Sequence, residues 1–445
     1  MVGGSRGQDS IPSQRIASRR GTARSRAAIK PRIPWLVALF FISMLAPPQA
    51  QFRIDTINLS VQRVLLLLSI LPCAFMLVAG RAGRLRLVDG LIVLHSLWAV
   101  LTLAVNDGLS VAVKSGGIYV VETVGPYLIA RVYLRRESDF IGWVRFYTLM
   151  VVGLSVLTIP EAVTGVHYFA NLFGKWTDEE IYMSKEVRLG LTRAYGPFRH
   201  PILYGIFCAT SLGLAWYTLN RGTSNLRKIV VSLFIVISTV MSMSTVAFLS
   251  IGVQGILIIW DAVLAKWKGR WKAFVLFLII MFSVAAIFSN RGPVMAIVGR
   301  ISLDPQTAYM RQAIWDAGTS NVRAHPVFGI GYGDWARPNW IPASVDNFWL
   351  LTAMRHGVPG LGFLAAAFIL VLFSIQKKRN LPRTVSQLRQ GWIVSMLSLA
   401  LAAATVHFWV TSLTYFFFMI GSATWILEAP IRKNHSGIAM NPHRN

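Results

Sequence analysis

Long apolar segments recur along the whole chain, and each is long enough to form a membrane-spanning helix. Val61–Ala79 and Leu87–Val105 each run for 19 residues with a single charged side chain. About 20 predominantly apolar residues cross the hydrocarbon core as an α-helix, in which every backbone hydrogen bond is satisfied internally. Soluble elements would instead alternate apolar and polar positions. The sequence therefore predicts an all-α polytopic membrane protein.

We expect about twelve spans. They are Pro34–Ala46, Val61–Ala79, Leu87–Val105, Ile118–Leu134, Phe140–Ile159, Ile202–Leu219, Ile229–Ser244, Phe248–Leu264, Ala273–Ser289, Gly357–Ile375, Gly391–His407 and Trp409–Leu427. The first span and the "APPQAQ" after it resemble a signal peptide with its cleavage site, but the preceding segment is unusually long for one. We therefore favour a retained helix.

The distribution of charge predicts the orientation of these spans. The formal net charge is +26, and the Lys/Arg clusters occupy alternate connections, whereas the acidic residues occupy the connections between them. This positive-inside pattern places both termini in the cytoplasm. It assigns the basic patches to anionic membrane lipids rather than to nucleic acid. The predicted organisation is a disordered basic tail over 1–33, a transmembrane domain over 34–428 and a cytoplasmic tail over 429–445.

Two predicted outer loops, 160–201 and 290–356, are long enough to carry function, and the second lies between the ninth and tenth spans. The first loop ends in "RAYGPFRHPILYG", where Arg193, Arg199 and His200 precede an apolar run with no acid among them. Tyr195 lies between the first two. Cations placed at the membrane surface in this way are candidates for binding an anion.

The second loop contains a predicted helix that begins after Asp304, with Pro305 at its first position, and runs to about Asn321. Arg311 and Trp315 are four residues apart on it and share a face. Arg311 is therefore either a ligand for an anion or an arginine that reaches a lipid headgroup. The later "GIGYGDW" lacks the lysine and the strand of a phosphate-binding loop, so we interpret it as a tight turn.

At the end of this loop, Asp346 and Asn347 directly precede an apolar run. Asp346 fits two compatible roles, a helix N-cap and a catalytic carboxylate. Within the spans, Glu122 is deep enough to pair with an arginine of a neighbouring helix. Asp89, Asp261 and Arg145 lie near helix ends, and we expect them to extend towards water.

The remaining candidates carry less weight. His95 lies within a span and His407 near an outer end, and for both we favour a structural role. Cys73 and Cys208 lie in apolar spans, where we expect them to be packing residues. The sequence has no carboxylate or histidine cluster at metal-ligand spacing, so we expect no metal and no cofactor.

Three motifs together resemble the O-antigen ligase and Wzy-type polysaccharide polymerase superfamily. They are "RAYGPFRHPILYG", the "R…W…HPVFGIGYG" run over Arg311–Gly333, and "DNFWLLTAMRHGVPGLG" from Asp346 onward. The resemblance extends over Pro34–Leu427 and includes the topology. It implies a lipid-dependent, metal-independent glycosyltransferase fold of the GT-C kind in the bacterial inner membrane. The implied substrate is an undecaprenyl-diphosphate-linked glycan, used at the periplasmic side.

The resemblance assigns Arg193 and Arg311 to the diphosphate and Asp346 to the position of the proposed base. Arg199, His200, Tyr195, Trp315 and Asn347 are expected to help to bind the substrate. Family ligases usually carry His-Asn where this chain has Asp346–Asn347, and many members have an arginine after the Ser of "STVAFLS". The first departure favours a polymerase of O-antigen, capsule or exopolysaccharide, with a chain-length regulator as a candidate partner.

Two alternatives remain open. A ligase would pass the glycan to the lipid A core. A transporter of the lipid-linked glycan would need matched halves or paired charges near the midplane of the bilayer, whereas this chain concentrates its polar groups in two outer loops.

Overall fold

The structure is a computed structural model that describes residues 3, 31–46, 50–54, 57–174, 186–219, 224–288 and 305–430. Most of the predicted tail 1–33 and residues 431–445 lie outside the described residues. The described chain is mostly helical. Its α-helices are α1 Trp35–Ser43, α2 Val61–Val78, α3 Leu87–Asn106, α4 Leu109–Val111, α5 Gly117–Tyr133, α6 Glu137–Thr164, α7 Tyr168–Gly174, α8 Pro201–Leu219, α9 Asn225–Met241, α10 Thr245–Val263, α11 Arg270–Phe288, α12 Pro305–Ala324, α13 Phe348–Lys377, α14 Arg383–Ala403 and α15 Thr411–Ser422.

Shorter elements connect these helices. A π-helical turn, Ala112–Gly116, joins α4 to α5, and a 3₁₀ turn, Thr424–Leu427, follows α15. Two small antiparallel hairpins complete the described structure. Strands β1 (Gln51–Ile54) and β2 (Ile57–Ser60) form the first, and β3 (Val187–Arg188) and β4 (Leu191–Thr192) form the second.

Each of the twelve predicted apolar segments falls on a helix, which fits the all-α membrane class. Among the described residues, six helices are long and apolar enough to cross a membrane: α2, α3, α6, α8, α10 and α13. The Thr411–Leu427 segment is apolar but shorter. The twelve spans and their orientation therefore stay predictions.

Close helix packing depends on small residues at a few crossings. A Cβ on Gly391 of α14 would lie 2.9 Å from the backbone oxygen of Gly213 in α8. The Gly213 N–H donates to the buried Gln254 side chain of α10 at 2.9 Å, and so the three helices are tied together. Small residues at such crossings let backbones approach, which drives helix association in membranes. Cys73 and Cys208 are both free and buried, as predicted.

Two helices extend beyond their predicted ends into the predicted loops. α6 continues to Thr164 and closes at Gly165 in the left-handed conformation (φ 71°) that glycine adopts without strain. α13 begins nine residues earlier than predicted, at Phe348, and it is interrupted by non-helical geometry at Gly357 (φ 68°). The "HGVPG" stretch is therefore a kink within one helix rather than its start.

The expectation that Asp89 extends towards water is wrong, because Asp89 is buried in a complete hydrogen-bond network. Its carboxylate accepts from Arg131 Nε at 3.0 Å, from Arg86 N at 2.7 Å and from the Tyr127 hydroxyl. Burying a carboxylate is costly unless it is paired and hydrogen-bonded, and here both conditions hold. Asp261 is likewise paired, with Arg270 at 2.8 Å.

Candidate functional site

Helix α12 packs against the first half of α13, and this packing positions Arg311. Ile314 and Gly318 of α12 are buried, and a Cβ on Gly318 would collide with Leu350 and Met354 of α13. The helix starts at Pro305 as predicted, but its predicted cap, Asp304, lies outside the described residues. Trp315 is 51% exposed, so it lies at the solvent edge of the face that carries Arg311.

The glycine-rich segment after α12 docks onto the kink in α13. Since the kink leaves carbonyls without helical partners, Met354 O accepts from Ile330 N at 2.8 Å and Arg355 O accepts from Gly331 N at 3.1 Å. Gly329 and Gly331 both have positive φ, which confirms the predicted tight turn. A Cβ on Gly357 would collide with the carbonyl oxygen of Val327. The segment therefore fixes Tyr332 beside α13.

The N-cap of α13 is Asn347, whose side chain accepts from Leu350 N at 2.9 Å. The capping role considered for Asp346 is therefore filled by its neighbour. The Asp346 carboxylate accepts no hydrogen bond from any residue that the structure describes. Asp346 is solvent-accessible, yet the surrounding protein is close enough to raise its pKa by desolvation, an effect that Arg311 opposes.

Arg311 and Asp346 thus lie within electrostatic reach of each other. Burial lowers the pKa of Arg311, and the charge of Asp346 opposes that shift. The Arg311 Nε is buried and has no hydrogen-bond partner among the described residues. An arginine with a spare buried donor, within electrostatic reach of an unbonded carboxylate, can bind an anion while the carboxylate takes up a proton.

The loop that carries Arg193 is held through its backbone by Glu161, a fully buried carboxylate near the end of α6. Its two oxygens accept from Tyr195 N at 2.8 Å and from Gly196 N at 3.2 Å, and His167 Nδ1 is 2.8 Å from the first. Gly196 has a φ of 53°. Because these contacts use both oxygens, Glu161 organises the loop rather than facing a substrate.

Arg193 is buried, with 2% of its surface exposed, beside the carboxyl end of α9. It forms an ion pair with Glu186, and its Nε donates to Ser242 O at 3.3 Å. Its Nη2 is buried without a partner among the described residues. Burial is the largest cause of its lowered pKa. Arg193 therefore shares with Arg311 a donor for which the described protein provides no acceptor.

The other candidates of this loop lie at different depths. Tyr195 is buried against the ring of His167. Arg199 is exposed, and its Nη2 lies 3.4 Å from Gln51 Oε1. His200 packs against Trp409, and burial together with the nearby Arg193 lowers its pKa to about 4. His200 is therefore neutral at pH 7, so it does not supply the third cation that the sequence allowed.

A cavity of about 180 Å³ opens beside this loop, between α2, α5, α13 and the segment before α15. Arg63 lines it and forms an ion pair with Glu122 at 2.7 Å, which confirms the predicted pairing of Glu122. Arg355, Tyr332 and His407 also line it.

The structure therefore gathers the predicted residues into two groups and adds a cavity. Arg311, Asp346 and Asn347 meet where α12 packs on α13, whereas Arg193, Tyr195 and His200 belong to the loop before α8. His200 and His407 both pack on Trp409, so the loop adjoins the cavity. His95 contacts Gly360 O at 2.8 Å and the Tyr119 hydroxyl at 2.9 Å, which is the structural role expected for it.

Sequence reasoning missed Arg63 and Arg355. Each is an ionisable side chain at or within an apolar run, and that signal alone marks a residue as a functional candidate in a membrane protein. Within the described residues, His, Cys, Asp and Glu side chains form no group of three or more that could hold a metal ion.

The fold and the site together define a helical membrane protein with arginines and a carboxylate where its helices meet two connecting segments. Residues 230–365 match the family model described as O-Antigen ligase. The match confirms the resemblance to the O-antigen ligase and Wzy-type superfamily, and it supports an enzyme of the glycosyltransferase or ligase type. It includes Arg311 and Asp346, whereas Arg193 lies before it. A search of curated proteins gave no match.

Proposed function

We propose that this protein polymerises undecaprenyl-diphosphate-linked oligosaccharide repeat units into exopolysaccharide, capsule or O-antigen. The observation that carries the proposal is that Arg311 lies within electrostatic reach of an Asp346 that is free of the capping role. The same position is usually histidine in family ligases, and here it is a carboxylate.

In the proposed reaction, a hydroxyl of the acceptor glycan attacks the anomeric carbon of the donor. The bond between that carbon and the diphosphate oxygen breaks, and undecaprenyl diphosphate leaves with the bonding electrons. Asp346 takes the hydroxyl proton. Negative charge grows on the leaving diphosphate, so arginines already fixed around it stabilise the transition state more than the ground state.

Arg311 and Arg193 are the proposed ligands of the diphosphate. A buried guanidinium with a spare N–H is suited to bidentate binding of phosphate, and its planar fork is more specific than a lysine ammonium. A pKa that is raised towards neutrality makes a carboxylate a stronger base at pH 7, provided that it stays ionised. Desolvation raises the pKa of Asp346, and Arg311 limits the rise.

A ligase that passes the glycan to the lipid A core is the second candidate, because the matched family model fits a ligase and a polymerase alike. The two are distinguished with purified full-length protein in lipid nanodiscs and lipid-linked repeat units as the substrate. A polymerase gives a ladder of products on a gel without any further acceptor. Product that forms only when lipid A core is supplied would contradict polymerisation and identify a ligase.

The proposed active site faces the periplasm. A reporter that is active only outside the cytoplasm should be active when fused within residues 290–343 and silent when fused after Lys378. The reverse pattern would overturn the proposed orientation.

A further inference from the structure

The cavity beside α13 contains an arginine, Arg355, without a hydrogen-bonded or ion-paired acid among the described residues, although the charge of Asp107 acts on it from a longer distance. Arg355 packs on the ring of Tyr332 at 4.9 Å, and it makes no hydrogen bond or ion pair to another residue that the structure describes. The carboxylate in the cavity, Glu122, is already occupied by Arg63. Among the residues that line the cavity, Arg355 is therefore the cation that remains after Arg63 and Glu122 have paired.

The remaining lining suits a sugar. Tyr332 and Trp409 are 41% and 38% exposed and offer aromatic surface, and the Nδ1 of His407 is buried without a partner among the described residues. Aromatic faces combined with a few polar groups are typical of small-molecule sites. The volume of about 180 Å³ is below the roughly 300–1,000 Å³ of pockets for drug-sized ligands, so the cavity fits one sugar residue rather than a chain.

We propose that this cavity is a subsite for an acidic sugar of the glycan, and that Arg355 selects it by binding the carboxylate. The planar guanidinium matches a carboxylate through two parallel hydrogen bonds, and one of its faces stays on Tyr332. The subsite rests on the proposed function for its substrate, a glycan. It is separate from Arg311 and Asp346, which do not line the cavity.

Binding of small probes tests this subsite without any turnover. Ligand-detected NMR on the purified full-length protein would compare methyl glucuronide, methyl galacturonide and methyl N-acetylneuraminate. Methyl glucoside and methyl galactoside serve as neutral counterparts. We expect at least one acidic probe to bind in preference to the neutral probes. Arg355→Gln should weaken that binding by roughly ten- to a hundredfold, the usual range for loss of charge-assisted hydrogen bonds.

Two further variants keep the result interpretable. Arg355→Lys keeps the positive charge but lacks the planar guanidinium, so it should lose part of the preference for acidic over neutral probes. It also serves as the test if Arg355→Gln does not fold. Arg323→Gln removes an exposed arginine at the end of α12 and should change nothing.

Undecaprenyl diphosphate without glycan separates this subsite from the proposed catalytic site. Its binding should be unchanged in Arg355→Gln. If that binding falls together with acidic-sugar binding, Arg355 belongs to the diphosphate site and the subsite is refuted. No preference for any acidic probe would equally refute it. If the wild-type protein forms no polymer but still prefers an acidic probe, only the proposed function is refuted.

Discussion

Arg131, in one region of this molecule, differs from Arg193 and Arg311, in another, in how completely its guanidinium nitrogens are hydrogen-bonded. Near the first turn of α3, Arg131 uses all three guanidinium nitrogens: it binds Asp89 at 3.0 Å, Ala82 O at 2.6 Å and Arg84 O at 2.7 Å. By contrast, Arg193 and Arg311 each keep a buried N–H without a partner among the described residues. α3 separates Arg131 from the glycine-rich segment by roughly 30 Å, the length of a 20-residue helix.

The difference separates structural arginines from candidates for binding. Leaving a buried donor unpaired costs about 1–3 kcal/mol, and native proteins rarely carry that cost without a reason. A guanidinium whose three nitrogens all bind the protein is held in place and has fewer N–H groups left for a ligand. The bonding of Arg131 therefore indicates a structural role. Arg86 and Arg389 also keep a buried Nε without a partner among the described residues, so a spare donor alone does not mark a site. Arg193 and Arg311 are the proposed anion ligands because they combine a spare donor with the position in the sequence motifs.

The largest expected effect concerns the carboxylate beside Arg311. Asp346→Asn removes the proposed base and leaves the cap of α13 intact, since Asn347 provides it. The rate of polymer formation should fall by about a hundred- to ten-thousand-fold, the usual cost of losing a general base. Product length from purified protein measures it. Asp346→His, which restores the residue usual in family ligases, should keep some activity. Near-normal polymer from Asp346→Asn would remove this residue from the mechanism.

Arg131 should show the opposite phenotype, a loss of stability. Arg131→Leu strands the buried Asp89 carboxylate and should lower the free energy of unfolding by about 3–5 kcal/mol. The double variant Arg131→Leu/Asp89→Leu should recover part of that loss, because no unpaired charge remains buried. Thermal unfolding in detergent measures both. A single variant as stable as wild type would show that the saturated network is not structural.

A smaller effect should appear in the pH dependence of the rate. Desolvation by the surrounding protein raises the pKa of Asp346. On acidification, Asp346 is therefore protonated at a higher pH than an ordinary aspartate is. The acid limb of the rate profile should therefore lie above the usual range for aspartate. The residual activity of Asp346→Asn should lack this limb. An acid limb at the ordinary aspartate position would show that another group is the base.

The raised pKa also fixes the sign of the linkage to stability. The folded protein binds this proton more tightly than the unfolded chain, so Asp346 lowers stability as pH rises through its folded pKa. Asp346→Asn should therefore be no less stable than wild type at neutral pH. If Asp346→Asn is as stable as wild type, its loss of activity is not caused by unfolding.

The helices could be predicted from the sequence because apolar runs of spanning length have few alternatives in a membrane. The residue that caps α13 could not be predicted from the sequence. Asp346 and Asn347 cap helices about equally well, and what distinguishes them is the start of α13. That start is fixed by a distant contact, from Phe348 N to Val406 O at 3.2 Å.

The cavity was equally out of reach of sequence reasoning. Arg63 and Arg355 are 292 residues apart along the chain, and only the packing of separate helices brings them to one wall. The kink at Gly357 also explains why Arg355 was missed. The sequence around Gly357 is typical of a helix start, which places Arg355 in a loop, whereas it lies within α13. The motif arginines, by contrast, could be named because their positions match a family pattern.

The most direct measurement of the central claim is the binding of undecaprenyl diphosphate to purified arginine variants. Arg193→Gln and Arg311→Gln should each weaken binding by roughly ten- to a hundredfold, because each loses charge-assisted hydrogen bonds to phosphate. Undecaprenol, which has the same tail without phosphate, should bind all variants alike, and Arg323→Gln should match wild type. Unchanged binding of undecaprenyl diphosphate in both variants would contradict the account, because the spare donors of Arg193 and Arg311 would then not hold the anion.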